Sequence, residues 1–376
     1  PQPATGRVRS APMDRASDAR HRLDYGTASD SRLAFMVRAF RHRNYRLFFA
    51  GQLVSLVGTF LTQVAISWLV YRLTQDPRVL GVTVFAGQIP MFVLAPFGGV
   101  WVDRVNRRKL IVWTQVLAAM QLLSLAGLAL SPLIHSPSAA IKGIVILAFV
   151  QGLINAFDVP GRQAFVVEMI EDRADLPNAI ALNSSMFNGA RLIGPSIAGI
   201  LIAWVGEGWC FFIDSVSYLA VIASLLLMRV AATDRRSRES SIFREVQEGY
   251  RYIAGFTPIR SVLLLLALVS LMGFPYTVLM PIMAAQVLHG GPHTLGFLMA
   301  ASGVGALTGA LYLASRSSVL GLGRVIARSA ACFGLGLVLF SLSREVWLSM
   351  LLMVGCGMTM ILQMAASNTL IQTLTD

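Results

Sequence analysis

The chain has 376 residues, of which 55% are hydrophobic and only 13% charged, with a mean hydropathy of +0.66. A water-soluble domain carries about a quarter charged residues, so this composition excludes an ordinary soluble enzyme and makes the bilayer the solvent. The 31 Lys and Arg against 19 Asp and Glu give a net charge of +12. In a soluble protein that excess points to nucleic acid; here its meaning depends on where the charges fall.

Residues 1–43 form a polar, Arg-rich stretch (Arg7, Arg9, Arg15, Arg20, Arg22, Arg32) without apolar periodicity, expected to be a disordered basic cytoplasmic tail. No apolar segment follows its basic residues, so it does not read as a signal peptide. From Arg46 onward, ten apolar runs alternate with short polar links. They are Leu47 to Tyr71, Leu80 to Val102, Leu110 to Leu130, Ile141 to Phe157 and Asn178 to Val205, then Trp209 to Met228, Val262 to Leu288, Leu295 to Ala314, Val325 to Leu342 and Val346 to Leu370. Each approaches the roughly 20 residues of a spanning helix, and none shows the short alternating segments of a membrane barrel.

With residues 1–43 placed in the cytoplasm, 26 of the Lys and Arg fall on that side, 4 on the other, and Arg191 stands alone inside a run. The asymmetry sets the orientation and accounts for the net charge, which removes nucleic acid as a partner. Cys210, Cys332 and Cys356 all lie in apolar runs and read as small packing residues. The expected organisation is a six-helix bundle over 44–230, a cytoplasmic linker over 231–261 and a four-span bundle over 262–376. Ile242, Val246, Tyr250 and Ile253 recur at helical spacing in the linker, as on a surface amphipathic helix or a solvated connector. Leu80-Gly81 and Leu295-Gly296 lie 215 residues apart, each opening a Gly-rich second span, as parallel repeats do in transporters.

Three segments carry mechanism. Gly99, Asp103, Arg104, Arg107, Arg108 and Lys109 cluster in the link from the second to the third run. The spacing resembles the G-x-x-x-D-R-x-G-R-R-K loop of the major facilitator superfamily, with Asn106 where that pattern has Gly. Asn is the next-best residue for a left-handed turn, so the turn is expected to survive. Gly189, Gly194, Pro195 and Gly199 in the fifth run resemble the Gly-Pro antiporter motif of the same superfamily's exporters, with Ala198 in place of one Gly. Pro removes a backbone donor and Gly allows close helix contact, so a kinked, closely packed span is expected. Asn155 to Phe165, Phe212 to Tyr218 and Gln363 to Leu370 are similar to the branch that holds the enterobactin exporter and macrolide efflux proteins. That resemblance implies an all-α integral membrane protein of two pseudo-symmetric helical bundles, with ten spans present of twelve.

A charge inside the bilayer costs several kcal/mol unless it meets a partner or a cavity, which makes Arg191 and Asp214 candidates for coupling or substrate binding. Counted from Gly206, Arg191 lies about 22 Å deep and Asp214 about 12 Å, so the two need not touch. Asp158 and Arg162, at the exit of the fourth run, are expected beside the Asp103 cluster as a cytoplasmic gate, with an Asp103–Arg162 pair that breaks when the gate opens. Glu168, Glu171, Asp172 and Asp175 read as a solvated acidic face. Gln52, Gln63, Gln88, Gln121, Gln151, Asn155, Asn183, Asn188, Gln286, Gln363 and Asn368 either line a cavity or bond between helices. Phe60, Trp68, Phe85, Phe187, Phe274, Tyr276 and Met280 read as core, with an apolar cavity wall as their other use. The chain has no Walker phosphate loop and no clustered His or Cys ligand set, so no cofactor or metal is expected.

The expected function is proton-coupled export of a small amphipathic molecule, such as a drug, siderophore or secondary metabolite, across the inner membrane by alternating access. The expected partners are that substrate, protons and lipid, with the chain acting as a monomer and not as an enzyme. Uptake by the same fold, and a non-transporting or incomplete membrane scaffold, remain open. The repeat offset places residue 376 where a fifth and sixth span of the second half are expected to begin.

Overall fold

The structure, a computed structural model, describes residues 38–170, 172, 175–229, 255–315 and 321–375, without the side chains of 95, 96, 99, 100, 103, 104, 177, 374 and 375. The stretch 1–37, residues 230–254 with the expected amphipathic helix, Glu171 and Arg173 lie outside the described residues, and the last residues of the expected linker belong to the seventh span.

Each apolar run becomes a helix, because inside lipid every backbone group has to be paired within its own segment. In chain order these are α1 (Arg43–Thr74), α2 (Pro77–Arg104), α3 (Arg107–Leu130), α4 (Pro137–Met169), α5 (Leu176–Val205) and α6 (Glu207–Leu227). The second half holds α7 (Thr257–Gly273), α8 (Pro275–Ile282), α9 (Pro292–Ala314), α10 (Leu322–Leu342) and α11 (Val346–Thr375). Among the described residues, ten segments are long and apolar enough to cross a membrane, and no strand occurs. Helix starts follow local chemistry. Pro77, Pro137 and Pro292 occupy first turns, where the missing N–H costs nothing. Asp76 and Asn106 cap α2 and α3 by accepting from the backbone N–H of Arg78 (2.8 Å) and Lys109 (3.1 Å). Asn106 is therefore a helix cap with extended backbone (φ −68°, ψ 107°), and the left-handed turn expected there does not form.

The seventh span departs from the single helix its hydropathy predicts. It breaks between Gly273 and Pro275, resumes as α8, and widens into one π-helical turn over Met283–Val287. Pro275 and Pro281 each remove a backbone donor, leaving the carbonyls four residues earlier without their usual helical partner. The parallel repeat is visible in the helix starts: Pro77 and Pro292 lie 215 residues apart, as do Arg107 and Leu322.

The helices alternate in direction, which defines a basic end, carrying Arg104 to Lys109, and an opposite end, carrying Arg72 and Glu207. The packing of the two halves differs between these ends. One continuous apolar core joins both halves in the opposite-end part, from Leu61, Leu69 and Ile202 to Met280, Leu295, Phe340 and Met353. Toward the basic end the core divides. Phe48, Ile111, Phe165 and Leu225 form a cluster within the first half, while Leu322, Ile326 and Ala366 form another within the second. In the same sense, α8 packs on α1 and α2, whereas α7 packs chiefly on α8, α10 and α11. The apolar core is thus shared by the halves at one end and divided between them at the other.

Large apolar side chains face outward, Phe92 and Trp204 each being 81% exposed, a surface that only lipid makes stable. Trp101, Trp204, Trp209 and Trp347 stand near helix ends, where indoles sit at membrane interfaces. Cys210 and Cys356 are buried as expected, but Cys332 is exposed on α10. At the opposite end Arg72 and Glu207 pair through two contacts, Nε to Oε1 at 2.9 Å and Nη2 to Oε2 at 3.1 Å. The guanidinium is half exposed. A double-mutant cycle with Arg72→Ala and Glu207→Ala is therefore expected to give a coupling of about 0.5–1 kcal/mol in unfolding experiments in detergent, falling with salt.

Candidate functional site

Two carboxylates are buried in the interior of helices of the first half, one on α4 and one on α6, and their surroundings differ. Asp158, on α4, is 2% exposed. Its Oδ1 accepts from Thr114 Oγ1 (2.6 Å) and Gln115 Nε2 (2.7 Å) of α3, and its Oδ2 pairs with Arg162 one turn along its own helix. Both residues lie within a 33-residue helix that runs past the predicted exit of the fourth run, one turn apart on it. Arg162 spends its charge on Asp158; the side chain of Asp103, its expected partner, lies outside the described residues, as do those of Gly99 and Arg104.

Asp214, on α6, is 1% exposed and has only hydroxyl donors. Thr62 Oγ1 of α1 donates to Oδ2 at 2.7 Å and Ser217 Oγ to Oδ1 at 3.0 Å, and among the described residues no cation pairs with it. It fits because Gly58, one turn before Thr62, has no side chain; a Cβ there would overlap Asp214 Oδ1. Gly51, two turns earlier, meets Ser224 in the same way, so small residues bring α1 and α6 together and seal the carboxylate between them. Gly58 and Thr62 escaped the sequence reading. The available signal was their one-turn spacing, small and polar, within an apolar run.

Arg191 lies at the middle of α5, half buried, and among the described residues has no ion-pair or hydrogen-bond partner. Its backbone abuts Gly303 of α9. The glycines of the fifth run divide in their contacts. A Cβ on Gly194 would meet Phe60 Cβ (2.6 Å) and the Val57 carbonyl (2.9 Å) of α1, whereas one on Gly199 would meet Pro292 and His293 (2.9 Å each) of α9. Gly296 returns the contact with Gly199 and the Pro195 backbone. This seam joins the two halves at the opposite end. Pro195 sits inside an unbroken helix, and the space beside Gly189 is open, so Gly189 makes no close contact. Gly305 and Gly309 of α9 pack against α11, the first on Val354 and Met358 and the second on Met358.

At the basic end, Arg108 donates to the carbonyls of Leu225 (2.8 Å) and Leu226 (2.9 Å), closing the C-terminus of α6, where a cation is favoured. Arg107 pairs with Glu168 at 2.7 Å. Glu168 and Asp175 were expected on a solvated face, and both are instead engaged. The Asp175 side chain is fully covered and meets Arg38 Nε (2.8 Å), Arg41 Nη2 (3.4 Å) and His42 Nε2 (3.0 Å). Burial alone raises a carboxyl, but the His42 hydrogen bond and the Arg38 and Arg41 charges outweigh it and hold Asp175 below the usual carboxylate range. Together with Ala39 N–H to Asn178 Oδ1 (2.9 Å) and Tyr45 OH to the Ala179 carbonyl (2.9 Å), this pins the short turn Arg38–Arg41 to the start of α5.

A lowered carboxyl contributes stability above its unfolded value and loses it as pH falls through the folded one. Release of the Arg38–Arg41 turn, read by amide hydrogen exchange, is accordingly expected on acidification below the usual carboxylate range, and limited trypsin cleavage at Arg38 and Arg41 is expected to be high at neutral pH in Asp175→Asn. Among the described residues no group of three His, Cys, Asp or Glu is placed to hold a metal.

Residues 36–376 match the transmembrane secretion effector family. The chain is 23% identical over 294 residues to the staphyloferrin A transporter of Staphylococcus aureus, covering 78% of this chain and 72% of that one. It is 26% identical over 270 residues to the enterobactin exporter EntS of Shigella boydii, covering 72% of this chain and 63% of that protein. In fold it is similar to a bacterial homologue of the iron transporter ferroportin in an inward-facing state, with a TM-score of 0.63 at 14% identity over 88% of this chain and 84% of that one. With a match that runs through the ten spans and the buried charges described above, the chain belongs to the transmembrane secretion effector family, a branch of the major facilitator superfamily of membrane transporters.

Proposed function

We propose that the chain is a proton-coupled exporter of small amphipathic molecules, working across the inner membrane by alternating access with residues 1–43 on the cytoplasmic side. One observation carries this reading: the halves share an apolar core at one end and have separate cores at the other, and the latter end holds most of the basic residues. Under the positive-inside rule that end is cytoplasmic, so the conformation is open to the inside, where an exporter loads. The Gly199–Gly296 seam closes the outside.

Coupling is assigned to Asp214. Of the two carboxylates buried in helix interiors, Asp158 is already neutralised by Arg162, whereas Asp214 has hydroxyls only, so gaining or losing a proton changes the net charge of its surroundings. Asp158, Arg162, Arg107 and Arg108 are assigned to holding the cytoplasmic half of the first bundle together. The curated relatives include a siderophore exporter, which favours export over uptake. Inverted membrane vesicles containing the chain are expected to accumulate fluorescent amphipathic dyes when energised, and to lose them on adding a protonophore. Accumulation that survives the protonophore, or its absence across a broad dye panel, overturns the proposal.

A further inference from the structure

Arg191 is an arginine in mid-membrane without a counter-ion. Such a charge is costly, and the usual remedies are a carboxylate, a shell of carbonyls or a water-filled cavity. Among the described residues it has neither of the first two. It faces the join of the halves, for its own helix packs Gly194 on α1 and its backbone meets Gly303 of α9.

Two hydroxyls converge on this place from the second half. Ser302 precedes Gly303, the residue that meets the Arg191 backbone, and the break at Gly273 and Pro275 sets Tyr276 at the start of α8. Its hydroxyl lies 3.3 Å from Ser302 Oγ, and Ser302 is 4% exposed. Discontinuous spans of this kind are where transporters build midplane sites. One turn from Arg191 toward the basic end stands Phe187, 47% exposed and edge-to-face with Phe60 at 5.3 Å, beside the open space at Gly189. A cation, two hydroxyls and an aromatic pair therefore gather where α5 meets α1 and α9.

We propose that Arg191, Tyr276 and Ser302 form an anion-recognition site at the join of the two halves. It takes the carboxylate or acidic phenol of an aromatic molecule whose body lies on the Phe60–Phe187 pair. This rests on the transporter reading and narrows it to a substrate class. The bound anion supplies the counter-charge that Arg191 lacks, and a neutral analogue leaves that charge uncompensated.

The test uses the purified full chain in detergent, with 2-naphthoate and its neutral counterpart 2-naphthamide as probes in equilibrium dialysis. The wild-type chain is expected to bind 2-naphthoate about 10- to 100-fold more tightly than 2-naphthamide, the range of a charge-assisted hydrogen bond. Arg191→Gln is expected to abolish that preference, Arg191→Lys to keep part of it, and Tyr276→Phe to weaken 2-naphthoate alone. The melting temperature of Arg191→Gln is expected to be unchanged or raised, since an uncompensated charge is removed. A wild-type chain without preference for the anion overturns the proposal, and this comparison needs no variant to fold. Equal 2-naphthoate binding in Arg191→Gln, with a lowered melting temperature, also overturns it and assigns Arg191 to packing. Arg191-dependent binding without proton-driven transport in vesicles upholds the site and removes the transport reading instead.

Discussion

Asp214→Asn is expected to abolish proton-driven transport while leaving the chain folded. The substitution keeps the shape and fixes the group in a neutral state; its one oxygen accepts from Thr62 or Ser217, which lie 2.7 and 3.0 Å from the carboxylate, and its amide nitrogen donates to the other hydroxyl. If the proton moves through this carboxyl, the energised component of dye accumulation falls to the background of empty vesicles, and exchange of dye without a gradient persists. A carboxyl that served packing alone gives the reverse: Asn reproduces the packing, and transport stays near wild type. Thr62→Val is a milder probe, because it removes one donor from a buried carboxyl. It is expected to shift the pH dependence of transport without abolishing it. Gly58→Ala places a methyl group against Asp214 and is expected to destabilise the α1–α6 contact by about 1–3 kcal/mol, read as a lower melting temperature.

The second large effect is expected at the seam between the halves. An added Cβ on Gly296 meets the Pro195 backbone and Gly199 Cα at 2.9 Å, and neither is the end of a flexible side chain. Gly296→Ala therefore has to push α5 and α9 apart where they close the opposite end. The strain, about 1–3 kcal/mol, acts on the conformation shown and not on each half alone, so its main result is a shift of population toward the state open at that end. A shift of that size is about 10- to 100-fold, enough to stall the cycle. Gly189→Ala is the matching control. It lies in the same motif with nothing within reach of its Cβ, and is expected to transport at the wild-type level.

Hydropathy made most of the fold legible, because only a helix satisfies its own backbone across 20 apolar residues. The seventh span shows its limit. Val262 to Leu288 is apolar throughout, and nothing in its hydropathy registers that Pro275 and Pro281 remove two backbone donors and divide it. Charges were legible where they were expensive. Arg191 and Asp214 stood out because the bilayer penalises them; Asp214 proves enclosed at a helix contact, whereas Arg191 is half buried. Asp175 and Glu168 were misread because at a membrane surface a carboxylate is cheap either way, and its partner is decided by tertiary distance. Arg38 and Arg41 are more than 130 residues from Asp175 in sequence. Asn106 was misread for a local reason: a helix cap and a left-handed turn favour the same residue type. The Gly-Pro motif was recognised as a unit, but its members divide among three environments: α1 for Gly194, α9 for Gly199 and open space for Gly189.

The central claim is that protonation of one buried carboxyl decides which end of the molecule is open. Spin-label distances test it most directly. One pair, Gln163→Cys and Arg324→Cys, reports the basic end, and another, Ser138→Cys and Arg344→Cys, reports the opposite end; all four positions are exposed. Cys332 is replaced because it is exposed, while Cys210 and Cys356 are buried. On acidification the two distances are expected to change in opposite senses in the otherwise native chain, and in Asp214→Asn to stay at one setting at every pH. Distances that ignore pH in both chains, or that follow pH equally in Asp214→Asn, contradict the claim.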